Sequence, residues 1–217
     1  MSQDQWLSWV ALAVEAVATL AFALSGLLEA ARKRLDPVGV CMVAGLAAFG
    51  GGTLRDVLLD RRPFFWVEHS AWLWVLLALC AVAMLWMQAR HVGLTERAMQ
   101  WPDAIGLGLF SAGGTEIALA QGMPAIVAVL MGVITAAFGG VLRDVFCNEI
   151  PRAFADHQPY AVCAFAGGWV LVGLHALDAL QGLALLLAAA VAFGLRAAAL
   201  VWDWRLPGWA AGPDIGA

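Results

Sequence analysis

Apolar residues run along the chain in seven stretches, at about 6–28, 38–60, 71–89, 102–120, 124–147, 160–177 and 180–202. Each is long enough to cross the ~30 Å hydrocarbon core of a bilayer as a helix of about 20 residues. Short polar turns separate them: ARKRLDP, DRRPFFWVEH, ARHVGLTER, QGMP, NEIPRAFADHQ and HALDA. Backbone polar groups inside lipid need partners within the protein, and stretches of this length satisfy them as helices rather than barrel strands. Trp6, Trp9, Trp66, Trp101, Trp202 and Trp204 gather at stretch ends, where an interfacial belt belongs.

The pattern repeats itself at a constant shift of 88 positions. Phe22 falls on Phe110, Gly26 on Gly114, Gly51-Gly52 on Gly139-Gly140, Leu54-Arg55-Asp56-Val57 on Leu142-Arg143-Asp144-Val145, and Pro63 on Pro151. Upstream, Glu15 falls on Asp103. The chain reads as one membrane domain over 1–217. It comprises repeat one at about 10–90, repeat two at about 98–178, a seventh helix at about 180–202 and a short C-terminal tail. Three spans per repeat force the second unit upside down relative to the first. That is the inverted-repeat plan of transporters and related channels, whose sites lie at the repeat interface. Asp103 follows Trp101-Pro102, a helix start at the interface, so Glu15 is expected near the outer interface as well.

Composition agrees. Of the 217 residues, 63% are hydrophobic and 13% charged, and mean hydropathy is +0.82. That is about half the usual charge, too little to cover a water-soluble domain. A net charge of −4 offers no footprint for nucleic acid. Lys33 is the single lysine and lies in a basic turn, which excludes Schiff-base and P-loop chemistry. Cys41, Cys80, Cys147 and Cys163 stand far apart in or beside apolar runs, and the histidines show no metal-ligand spacing, so neither a redox motif nor a metal site is expected. MSQDQW has no positive n-region, so no cleaved signal peptide is expected. With the N-terminus outside, Arg32, Lys33, Arg34, Arg90, Arg97, Arg152, Arg196 and Arg205 lie on the cytoplasmic side and only Arg61 and Arg62 outside. The positive-inside rule therefore favours N-out and C-in.

The candidate chemistry sits on the second and fifth stretches. Gly50, Gly51 and Gly52 precede Thr53, Arg55 and Asp56; Gly139 and Gly140 precede Arg143 and Asp144. Each glycine costs up to about 1 kcal/mol in a helix interior, so such runs invite a break or kink; the alternative is close helix packing through small residues. A central charge costs about 2.5–3.5 kcal/mol on insertion scales, so these four charges must face water or one another rather than lipid. Neighbours on a helix do not face each other, so no Arg-Asp step is expected to be its own ion pair. The two arginines instead suit two constrictions of one polar path, or two anchors snorkelling to opposite interfaces. Glu29, near a turn, suits solvation; Glu116 is deeper and could offset the arginines or attract cations. Ser25 and Ser111 add hydroxyls to the first and fourth stretches. A Ser111–His175 protease dyad fails on motif, because Leu109 and Ala112 stand where a nucleophile loop needs glycines.

FALSGLLEAARKRLDPVGV, GGGTLRDVLLDRRPFFWV, DAIGLGLFSAGG and FGGVLRDVFCNEIPRAF together resemble the bacterial trimeric intracellular cation (TRIC) channel family, also catalogued as a duplicated glycine-transporter domain. The resemblance covers about residues 10–200. It implies an all-α integral membrane protein of seven transmembrane helices, with the second and fifth kinked at Gly50, Gly51, Gly52 and at Gly139, Gly140. It implies a homotrimer in the bacterial inner membrane, with a pore in each protomer between those two helices. Arg55 and Arg143 are then pore-side, and the permeant is a monovalent cation, chiefly potassium, with no cofactor. Secondary transport of a small solute such as glycine is the alternative. Family members are often basic in the fourth helix, about where Ile117 stands here, so gating by a fourth-helix lysine is not expected.

Overall fold

The structure, a computed structural model, describes residues 3–90, 96–155 and 157–207. Among them are seven long helices: α1 (Gln3–Arg32), α2 (Pro37–Leu58), α4 (Ala71–Arg90), α5 (Glu96–Ala120), α6 (Ala125–Phe146), α8 (Ala161–Ala176) and α9 (Gln181–Val201). Two one-turn helices, α3 (Phe65–Glu68) and α7 (Arg152–Ala155), follow α2 and α6. The seven apolar stretches and the seven long helices coincide. By length and composition α1, α2, α6 and α9 can each cross a membrane, and Ala71–Leu85 and Ala161–Ala176 are shorter apolar stretches. The turn at 91–95 and the tail beyond 207 lie outside the described residues, as does the Arg90 side chain.

Helix ends are encoded locally and twice over. Asp36 caps α2, accepting from the Gly39 amide at 2.7 Å, with Pro37 at the first helical position. The turns after α1 and α5 place Arg34 (φ 55°) and Gly122 (φ 74°) in the left-handed region. Those after α2 and α6 place Asp60 (φ 50°) and Asn148 (φ 57°) there. Both pairs are 88 positions apart, so the two repeats stop their helices in the same register.

Tertiary contacts are reciprocal across the repeats. α1 packs on α5 and α2 on α6, and the Phe22 and Phe110 rings stack with centroids 5.5 Å apart. A Cβ on Gly51 would overlap the carbonyl oxygen of Thr135, and one on Gly139 would overlap the carbonyl oxygen of Ala47. Positions 47 and 135 are themselves 88 apart, so each contact is the other's mate, as a two-fold relation requires. α2 and α6 run as uninterrupted helices through their glycines. The structure thus shows no break at Gly50–Gly52 or Gly139–Gly140. The missing side chains let one helix backbone rest on the next, and the close contact offsets the glycine penalty. α9 has no mate in the repeat. It packs on α5 and α8 and completes the apolar cluster around Val14, Ala112, Leu171, Leu185 and Ala188.

Candidate functional site

The four charges near the C-terminal ends of α2 and α6 are buried: Arg55 is 1% exposed, Asp56 0%, Arg143 2% and Asp144 2%. Each arginine gathers two carboxylates. Arg55 donates from Nη2 to Glu15 Oε1 at 2.9 Å and from Nε to Asp56 Oδ1 at 2.8 Å. Arg143 donates from Nη1 to Asp103 and from Nε to Asp144 Oδ1 at 2.8 Å. Glu15 and Asp103 are repeat mates, so the duplicated unit carries an acid–Arg–Asp triad, not merely an Arg-Asp step.

This corrects one expectation and adds to another. Adjacent Arg and Asp do pair in both repeats. Their Cβ atoms diverge, but the guanidinium rides on a flexible arm and turns to its neighbour while a carboxylate on another helix holds its far side. Glu15, expected near the outer interface, is in addition a partner of Arg55. The second aspartate oxygens cap the following short helices: Asp56 Oδ2 accepts from the Phe65 amide at 3.4 Å and Asp144 Oδ2 from the Arg152 amide at 3.0 Å. A side chain that neutralises a buried cation and terminates a chain reversal is fixed at both oxygens.

The surroundings of the two triads differ. Glu15 and Arg55 line an open cavity of about 350 Å³ with Ser8, Arg61, Glu68, His69 and Glu116. Glu116 Oε2 lies 4.0 Å from His175 Nδ1, and neither atom has a hydrogen-bond partner. Around Arg143 the space shrinks to about 10 Å³. There Arg143 Nη1 also donates to Ser25 Oγ at 2.6 Å. The mate of Ser25 is Gly113, which leaves the Arg55 cavity wider by one side chain.

The other candidates divide between these surroundings and the helix interfaces. Gly50 and Thr53 line an apolar groove of about 480 Å³ between α2, α4 and α6, on a different face from the charged cavity. Thr53 Oγ1 donates to Phe49 O at 2.8 Å and accepts from Trp66 Nε1 at 3.1 Å. Gly52 and Gly140 border the triads: a Cβ at Gly52 would lie 3.7 Å from Arg55 Nη2, and one at Gly140 3.5 Å from Arg143 Nη2. Ser111 is buried and donates to Gly108 O at 2.9 Å, while His175 lies against Glu116, so neither is arranged as a dyad. Glu29, expected to be solvated, is 0% exposed and held by Arg32 at 2.8 Å and Arg152 at 3.3 Å.

Two helical units related by a shift of 88 and joined back to back, each holding a charged triad, define a duplicated helical membrane protein. The family described as "Glycine transporter" matches the chain twice, at residues 12–88 and 100–176. A UPF0126 membrane protein of Vibrio cholerae is 36% identical over 91% of this chain and 82% of its own length. The UPF0126 inner membrane protein YadS of Escherichia coli K12 is 33% identical over 91% of this chain and 95% of its own. The TRIC trimeric intracellular cation channel orthologue from Rhodobacter sphaeroides superposes with a TM-score of 0.82 at 36% identity, covering 90% of this chain and 99% of that one. The chain belongs to this duplicated family, the TRIC cation channel family.

Proposed function

We propose that the protein is a passive channel for monovalent cations, potassium foremost, with a path inside each protomer between α2 and α6. Seven spans, inverted repeats and a homotrimer in the bacterial inner membrane complete the reading. The N-terminus faces outward. The observation that carries it is the pair of triads at opposite ends of the α2–α6 contact, one facing an open cavity that also holds Glu68 and Glu116. Fixed carboxylates beside each arginine offset a charge that would otherwise repel cations. The bare backbone crossing at Gly51 and Gly139 is the barrier between the ends, and bending of α2 and α6 at their glycines parts it in the conducting state. Similarity to the Rhodobacter sphaeroides orthologue, a trimeric intracellular cation channel, supports both permeant class and assembly.

Planar-bilayer recording of the purified protein in a potassium gradient tests this. Unitary currents reversing near the potassium potential are expected. Saturable, ion-coupled glycine uptake without unitary current would replace the channel with a transporter. Arg55→Ala and Arg143→Ala are expected to change unitary conductance while the trimer still assembles, and wild-type conductance in both would remove these residues from the path.

A further inference from the structure

The two triads are repeat mates, yet one end is open and the other shut, and the difference lies in what the repeat does not duplicate. At Gly52 a Cβ would approach only Arg55 Nη2 within 4 Å. At its mate Gly140 a Cβ would lie 3.3 Å from the Tyr160 hydroxyl, 3.5 Å from Arg143 Nη2 and 3.5 Å from Asp103 Oδ1. Tyr160, just before α8, therefore sits over the second triad. Behind it stands Arg196 of the unduplicated α9, its guanidinium carbon 5.1 Å from the Tyr160 ring centroid. Arg196 Nη1 donates to Gln158 Oε1 at 3.2 Å and to Pro159 O at 3.4 Å. Tyr160 and Arg196 are 5% and 3% exposed; the Tyr160 hydroxyl lies beside the Asp103 carboxylate, whereas Arg196 Nε has no hydrogen-bond partner. A fold that only stabilised itself would satisfy buried polar atoms. Arg196 lines the small space with one buried nitrogen unpaired, packed on the Tyr160 ring rather than on a carboxylate.

Charge points the same way. The open cavity is lined by two arginines and three glutamates. The shut one is lined by three arginines and two aspartates; of the arginines only Arg143 is the mate of one at the open end, Arg152 falls on Phe64, and Arg196 comes from the unduplicated α9. The shut end thus opposes a cation both by size and by sign.

We propose that α9 closes the path at the Arg143 end: Arg196, packed on Tyr160, is a latch, and its displacement opens that end. The path itself rests on the channel reading above, whereas closure of this end does not.

Cys163 provides a native probe. It is 3% exposed, one turn from Tyr160, and its thiol donates at 3.1 Å to the same Pro159 carbonyl that Arg196 holds. Trimers in detergent are treated with a water-soluble cationic methanethiosulfonate, and modification is read at each cysteine by peptide mass spectrometry. Cys80, 0% exposed in the cluster between α2 and α4, is the internal reference. Arg196→Gln and Tyr160→Ala are expected to speed Cys163 modification at least tenfold with Cys80 unchanged, and to raise bilayer open probability several-fold. Arg196→Lys, which keeps the charge, is expected to stay near wild type. A Cys163 rate within twofold of wild type in a normally melting Arg196→Gln trimer overturns the latch. So does a parallel rise at Cys163 and Cys80, which signals general loosening. If the wild-type protein passes no current, the channel reading fails while the Cys163 rates still decide the latch.

Discussion

Asp103 and Glu15 occupy equivalent positions but do different amounts of stabilising work. Asp103 is 4% exposed and faces a space of about 10 Å³, whereas the Glu15 side chain is 14% exposed beside a cavity of about 350 Å³. Removing one member of a buried pair costs about 3–5 kcal/mol, because the remaining charge is left without solvent. Asp103→Asn is expected to reach that range. Glu15→Gln is expected to cost less than half as much, since water in the cavity solvates Arg55. Thermal unfolding of the two variants in detergent checks the ordering, and equal losses would show that the cavity is dry. Outside the spans, Glu149 is held by Lys33, whose ammonium hydrogen bond lowers its carboxyl pKa. A lowered folded-state pKa stabilises above the ordinary glutamate value of ~4.3 and is lost as pH falls through the folded value. Glu149→Gln is therefore expected to flatten the decline of melting temperature as pH falls from about 5 to below about 4, and to leave it unchanged nearer neutral pH. An unchanged profile would show that the pair contributes nothing at this exposed site.

At the level of helices, some glycines would bring an added Cβ onto a crossing backbone, others onto a side chain, and a few onto nothing. A methyl at Gly51 or Gly139 would overlap a carbonyl oxygen of the crossing helix, whereas Gly173 and Gly194 have nothing within 4 Å. Gly51→Ala and Gly139→Ala must push α2 and α6 apart and are expected to destabilise by more than about 1–3 kcal/mol, the usual cost of overpacking. Gly194→Ala, in the middle of α9, is expected to be neutral or stabilising by up to about 1 kcal/mol from helix propensity alone. Comparative melting of the three variants distinguishes crossing from propensity. The sequence made the presence and spacing of these glycines plain, but not their use. A Gly-Gly pair costs helix stability wherever it stands, and only the partner helix decides whether it weakens the helix or seats it. The same limit hid the triads. Glu15 and Asp103 keep the shift of 88 as faithfully as Arg55 and Arg143, and reading mates for complementary sign would have paired them. The rule that adjacent helical residues diverge describes Cβ positions, not the reach of a guanidinium.

Over the whole molecule, the seven apolar stretches and the repeat were enough to place each long helix among the described residues, because hydrophobic length and a fixed shift survive without tertiary information. Tyr160 and Arg196 were not legible as a site, since neither lies within the duplicated Gly-Gly-x-x-Arg-Asp stretch and α9 has no mate to compare. Tertiary contacts also gather the basic turns. Arg32 and Lys33 reach Glu149, Arg152 reaches Glu29, and Arg196 and Asp203 share Gln158, so the basic turns and the end of α9 converge at the Arg143 end. Arg61 belongs to the Arg55 end, its guanidinium 3.7 Å from Asp56. Cytoplasmic turns hold the excess of Lys and Arg, so the Arg143 end is expected to face the cytoplasm and the open cavity to face outward. A fluorescent protein that folds only in the cytoplasm, fused after the last residue, is expected to fluoresce. Alkaline phosphatase inserted at the Arg61-Arg62 turn is expected to be active. The opposite pair of results would invert the protein in the membrane, putting the open vestibule and its glutamates on the cytoplasmic side and the α9 latch outside, with the fold unchanged.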